Sequence, residues 1–202
     1  MRHLFLLAAL FCACISYAQI RVQERLPKSK TGFALTTAKT RAKIYYDVND
    51  ALVIKRSAEL FARDIQMVTG QKPELIQKRE RAKALVIVGT IEKNQWICEL
   101  AQKGKIDIRP LQGAWERYLI QTVDNPSPGV AKALVIAGSD RRGAAYGLFS
   151  ISEMMGVSPW YWWGDVPVKT HKALYVDAPP TYSKTPSVKY RGIFLNDEDW
   201  GL

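Results

Sequence analysis

Residues 82–90 read AKALVIVGT, and residues 131–136 repeat the first six letters, AKALVI. An apolar run of this length, without alternation, fits a strand covered on both faces. Each copy is followed by glycine, a polar residue able to cap a helix, and a helical pattern. After Gly89 comes Thr90, the candidate cap for IEKNQWICELAQKG, with Gly104 as its stop. After Gly138 come Ser139 and Asp140, either of which can cap RRGAAYGLFSISEMMG, with Gly156 as the stop. A buried strand needs a layer on each side. Two strand-helix units therefore predict an α/β sandwich domain with a mixed sheet, at least part of it parallel. Six letters do not establish an internal duplication. Gly138 to Gly143 match neither GxGxxG nor GK[ST], so this stretch reads as a tight strand-to-helix turn.

The flanking sequence extends the pattern. NDALVIKRSAELFARDIQMVTGQKP, residues 49–73, places Val53, Ser57, Leu60, Phe61, Ile65 and Val68 on one helical face. Asn49 or Asp50 is its candidate cap, Gly70 supplies a left-handed stop, and Pro73 prevents continuation. FALTT (33–37), KIYYD (43–47) and ERYLIQTVD (116–124) read as strands, and NPSPG (125–129) as a turn.

The first 18 residues stand apart. Arg2 and His3 precede an apolar run from Leu4 to about Ile15, and Ser16-Tyr17-Ala18 offers small residues where signal peptidase reads. The run is shorter than the about 20 residues needed to span a bilayer, so no stable membrane insertion is expected. A signal peptide cleaved after Ala18 implies a secreted or periplasmic protein. A lipoprotein signal fits less well, because Phe11 stands directly before Cys12 and three places before Cys14.

Cleavage would remove Cys12, Cys14 and His3, leaving Cys98 and His171. One thiol forms no intrachain disulfide, and one histidine in the polar turn VKTHKAL leaves little room for a metal site or a triad. No metal or cofactor is expected. The net charge of +10 raises nucleic acid as a partner, but the cations are scattered and no recognition-helix, RNP-type or zinc-finger pattern occurs. An acidic polysaccharide suits an exported basic chain better, and a basic surface with no partner suits it equally well.

VSPWYWWGDVPV, residues 157–168, places Trp160, Tyr161, Trp162 and Trp163 side by side. Read as a strand, Trp160 and Trp162 face one way, Tyr161 and Trp163 the other. Such aromatics either sit between two layers or line a sugar or protein surface. DAPPTYSKTPSV follows, rich in proline, and residues 179–188 read as a linker. The chain then closes with KYRGIFLNDEDWGL, an apolar segment running directly into Asn196, Asp197, Glu198, Asp199 and Trp200. A strand that ends in acids and amides is how a (β/α)8 barrel presents its chemistry.

RGIFLNDEDWG resembles the first barrel strand of glycoside hydrolase family 115, the xylan α-glucuronidases. GSDRRGAAYGLFSISEMMGVSPWYWWGDVPV resembles the end of that family's N-terminal α/β domain, and AELFARDIQMVTGQKP fits the same domain. The resemblance runs from about residue 30 to the end. Together with the signal peptide (1–18) and the linker (179–188) read from the residues, it implies an N-terminal α/β domain (19–178) and the start of a truncated catalytic barrel (189–202). It also implies release of glucuronic acid, or its 4-O-methyl form, from glucuronoxylan or a related acidic polysaccharide, with inversion. Family members are several times longer, so the catalytic acid and base are expected beyond residue 202 and this chain alone is expected to be inactive. Asn196, Asp197, Glu198, Asp199 and Trp200 are the candidate substrate-binding residues. Trp160, Trp162 and Trp163 are a candidate pocket wall or domain contact. Arg141 and Arg142 could meet a uronate carboxylate or simply be solvated. Two other readings remain open: a free-standing module binding acidic polysaccharide, and a piece of a family 67-like or hexosaminidase-like enzyme.

Overall fold

The computed structural model describes residues 19–194. In chain order the elements are β1 Arg21–Gln23, β2 Gly32–Thr36, β3 Lys43–Tyr46, α1 Leu52–Thr69, β4 Leu75–Ile76 and β5 Ala82–Thr90. There follow α2 Gln95–Gln102, a 3-10 turn at Arg109–Leu111, β6 Tyr118–Ser127, β7 Val130–Gly138, α3 Arg141–Met154, β8 Leu174–Asp177 and β9 Thr181–Tyr182.

The two AKALVI strands lie side by side. β5 pairs with β7 in parallel, from Ala82 opposite Val130 to Thr90 opposite Gly138. They are the centre of a six-stranded sheet in the order β4-β3-β5-β7-β6-β9. β3 runs parallel to both β4 and β5, whereas β6 is antiparallel to β7 and β9, so the sheet is mixed as expected. A second sheet, β1-β8-β2, is antiparallel.

Alternation within β5 divides the core. Ala84, Val86 and Val88 pack with Ile54, Phe61, Ile65, Leu148 and Ile151 of α1 and α3, and with Phe33, Leu35 and Val176 of the small sheet. Leu85 and Ile87 face the opposite layer, against Trp96, Ile97 and Leu100 of α2. Full burial of each such side chain stabilises the fold by about 1.5–3 kcal/mol, which is why these strands sit at the centre.

Helix ends depart from expectation in two places. Neither Asn49 nor Asp50 caps α1; its N-cap is Ala51, with no side-chain hydrogen bond. The cap of α2 is Asn94 rather than Thr90: its side chain accepts from the amides of Trp96 and Ile97, and it is fully buried. Asn94 competes successfully because its Nδ2 also donates to the Val88 carbonyl at 3.0 Å, joining the helix start to β5. Asp140 caps α3 as expected, and Gly70 ends α1 in the left-handed conformation.

Three loop expectations also change. Asn125–Ser127 belong to β6, with a register shift after Asp124, and the reversal is confined to Pro128 and Gly129. Trp160–Trp163 form consecutive turns and no strand. Residues 179–188 are not all connection: β9 lies among them and pairs with β6 through Thr181 and Tyr182. Beyond it, residues 189–194 form no strand.

Candidate functional site

In open α/β sheets, ligands collect at the carboxyl ends of the parallel strands. Here β3 leads to Asp47, β5 ends at Thr90 and β7 at Gly138. At the β3–β5 end, the Asp50 carboxylate accepts from the Thr90 amide at 2.7 Å and the Thr90 hydroxyl at 3.0 Å. Asp47 accepts from the amide of Asn49 at 3.0 Å. Gly89 lets these groups close up: a Cβ there would lie 2.4 Å from Asn94 Nδ2 and 2.8 Å from Asp50 Oδ2. The acids therefore act as a crosslink between β3, β5 and α2.

The β7 end is more open. Asp140 Oδ1 accepts from the amides of Arg142 at 2.9 Å and Gly143 at 2.8 Å, and Oδ2 accepts from the Glu116 amide at 2.7 Å. Glu116 itself has a positive φ of 55° and is 4% exposed. Its carboxylate meets Arg142 Nη1 at 2.8 Å and also pairs with Arg191. That pairing raises the Arg191 guanidinium above its ordinary pKa, and the same guanidinium lies 5.7 Å from the Trp115 ring centroid. A cleft of about 260 Å³ opens here, lined by Trp115, Glu116, Arg141, Arg142, Lys189 and Tyr190. Arg142 is thus committed to Glu116, whereas Arg141 is exposed. Sequence reasoning missed Glu116, because neither a positive φ nor a partner 75 residues away leaves a local signal.

The aromatic stretch lies over the helices. Ser158 and Trp160 carbonyls accept from the amides of Tyr161 at 3.1 Å and Gly164 at 2.7 Å, closing the turns. Tyr161 is drawn inward, its hydroxyl accepting from Arg63 of α1 at 2.7 Å. Trp160, Trp162 and Trp163 are left outward, 64%, 69% and 79% exposed. The turn geometry, not strand alternation, separates Tyr161 from the three indoles. Beside it runs a groove of about 260 Å³, lined by Leu60, Arg63, Asp64, Phe149, Ser152 and Tyr161 among others. Burial raises the Asp64 carboxyl above its ordinary value, while a 2.7 Å hydrogen bond from Ser152 opposes the shift. Asp64 joins α1 to α3, and packing accounts for its state.

Asn196, Asp197, Glu198, Asp199 and Trp200 lie outside the described residues. His171 is bound through Nδ1 to Glu24 at 2.7 Å on the surface. Cys98 donates to the Ile91 carbonyl at 3.2 Å, and burial pushes its thiol up, so it is held as a packed thiol. Among the described residues no three His, Cys, Asp or Glu side chains converge as a metal site would require.

Among solved structures, a family 115 4-O-methyl-α-glucuronidase, BtGH115A, with specificity for decorated arabinogalactans, superposes with a TM-score of 0.67 at 33% identity over 84% of this chain. The chain is related to glycoside hydrolase family 115. It spans 20% of that enzyme's length. A family 20 β-N-acetylhexosaminidase from Streptomyces coelicolor A3(2) matches at 13% identity and a TM-score of 0.41, over 81% of this chain and 25% of its own. No family model and no curated protein matches the chain. The family 115 relationship thus covers the α/β layer just described, while most of the relative's length has no counterpart here.

Proposed function

We propose that this chain is the N-terminal α/β part of a secreted glycoside hydrolase that removes glucuronic acid, or its 4-O-methyl form, from an acidic polysaccharide, with glucuronoxylan as the first candidate. The observation carrying this reading is the 33% identity to a family 115 enzyme over 84% of the chain. In this reading Asn196, Asp197, Glu198, Asp199 and Trp200 contribute to the sugar pocket. Amide and carboxylate groups hold sugar hydroxyls, and Trp200 offers a flat face to a pyranose ring. An inverting hydrolase needs one carboxylic acid to protonate the leaving oxygen and one carboxylate to activate water, about 6.5–9.5 Å apart. Three acids adjacent in sequence are poorly placed to bracket a bond in that way, so in this reading the pair is completed by sequence beyond residue 202. The basic start and apolar run of residues 1–18 support export.

The test is release of uronic acid from aldouronic oligosaccharides. The full-length hydrolase is expected to release it, and the 202-residue chain is expected to release none. Turnover by the short chain would overturn the assignment of the missing pair. The alternative, a free-standing polysaccharide module, is supported by the three exposed indoles, which give a soluble chain a face for sugar rings. Binding of glucuronoxylan oligosaccharides by the chain with no continuing reading frame after Leu202 would favour it.

A further inference from the structure

A broad, open concavity lies at the opposite end of the sheet from the strand termini where Glu116 and Asp140 sit. It is a cleft of about 800 Å³ between the start of β5, the β6–β7 reversal and the end of α2. β7 alone, nine residues long, separates the two ends by about 30 Å. Its charged lining consists of Arg81, Lys83, Lys103 and Lys105, with no Asp or Glu. The origin of this lining is visible in β5. Lys83, Leu85 and Ile87 share one face. Leu85 and Ile87 are covered by α2, but α2 has only eight residues, and the beginning of the strand extends beyond its cover.

The acids around the cleft are already engaged elsewhere. Glu80 binds Lys43 at 2.5 Å, Glu99 binds Arg79 at 2.7 Å, and Asp124 binds Lys132 at 3.1 Å. Lys105 is held over the cleft by the Asp124 and Asn125 carbonyls, at 3.3 and 2.5 Å. Arg81 lies along Gly129, where a Cβ would come within 2.9 Å of the arginine Cγ, so the φ of +83° serves both the turn and the placement of the guanidinium stem. Lys103, at the carbonyl end of α2, also complements the helix dipole. Four cations in one concavity repel one another, and an anion with several charges relieves that repulsion.

We infer that this cleft is a second binding site, separate from the strand-terminal edge, for a carboxylate-bearing polysaccharide. The choice of polysaccharide rests on the proposed function; the choice of a polyanion rests on the lining. The cleft has no aromatic side chain on which nucleic-acid bases could stack, and no large apolar side chain to enter a lipid surface. Pro126, Pro128 and the arginine stem supply the apolar surface that a sugar ring needs.

The experiment is retention of the chain on immobilised glucuronoxylan, compared with the same polymer after its carboxyl groups are reduced to alcohols. Retention on the native polymer is expected to weaken by about tenfold or more on carboxyl reduction, and similarly between low and high salt. The Arg81→Glu/Lys83→Glu variant is expected to lose about tenfold, whereas Lys39→Glu/Lys172→Glu, with the same change of net charge elsewhere, loses at most about twofold. Circular dichroism melts check that each variant folds. Should the glutamate pair fail to fold, Arg81→Gln/Lys83→Gln takes its place. Equal retention on the reduced polymer, or equal losses in the two variants, overturns the inference. So does cleft-dependent retention by duplex DNA or anionic vesicles that exceeds retention by glucuronoxylan. A full-length protein that binds through the cleft but releases no uronic acid would sink the proposed function and leave the cleft assignment standing.

Discussion

Asp64 and Glu116 are both buried carboxyls, held by different kinds of partner. Asp64 has one hydroxyl donor and a largely apolar surround, so burial raises its pKa above the ordinary 3.8. A carboxyl raised in the folded state contributes its full stability below the unfolded value and loses it as pH rises through the folded value. Ionisation of Asp64 therefore opposes folding. Asp64→Asn, which keeps an acceptor for Ser152, is expected to raise the melting temperature at pH 8 and to leave it little changed at pH 3. A difference that shrinks as pH rises would contradict this. Glu116 is instead met by two guanidiniums, themselves 48% and 37% exposed. Solvent screening tempers those pairs, so Glu116→Ala is expected to cost about 1–2 kcal/mol in urea unfolding. Neither role was legible in the sequence. Asp64 occupies an apolar helical face without breaking its pattern, and the partners of Glu116 come from α3 and from residue 191.

At the scale of elements, glycines separate local from tertiary information. Gly70 ends α1 at a φ of +70°, and a Cβ there would meet nothing within 4 Å. Its requirement is backbone conformation alone, which is why its position as a stop could be read from the pattern. Gly143 sits in the first turn of α3, where a Cβ would fall 2.1 Å from the Arg117 carbonyl oxygen. That requirement belongs to the approach of α3 to β6 and has no signature in the helix itself. Gly70→Ala is expected to cost about 1 kcal/mol. Gly143→Ala should cost more, about 2–3 kcal/mol, because backbone must move. Denaturant midpoints for the two variants give the order, and the reverse order would show that the α3–β6 approach tolerates a methyl group. The caps follow the same division. Asp140 was readable because its bonds are local, while Asn94 displaced Thr90 through a bond to β5 that only the folded sheet supplies.

For the whole molecule, the strand-helix units fixed the sandwich because buried strands without alternation demand two covering layers. The order of the sheet, and the incorporation of Thr181 and Tyr182 into it, depend on long-range pairing that composition does not encode. The aromatic turn shows the limit most clearly. Adjacent large residues indicated that no single core could take them, but the strand geometry assumed for them was wrong, and Tyr161 alone turns inward to Arg63. The three outward indoles give a discriminating measurement. Surface substitutions of this kind usually change stability by less than about 0.5 kcal/mol, so Trp162→Ser/Trp163→Ser is expected to leave the melting of this chain unchanged. Its fluorescence should lose part of the iodide-quenchable emission, since Trp96 is buried and Trp160 remains as the exposed indole among the described residues. If these indoles wall the sugar pocket or meet the catalytic part, the same pair in the full-length hydrolase lowers its activity or its melting temperature. Full activity and unchanged melting there would assign the indoles to solvent or to a sugar contact outside the catalytic reaction, and glucuronoxylan binding by the two forms would separate those outcomes.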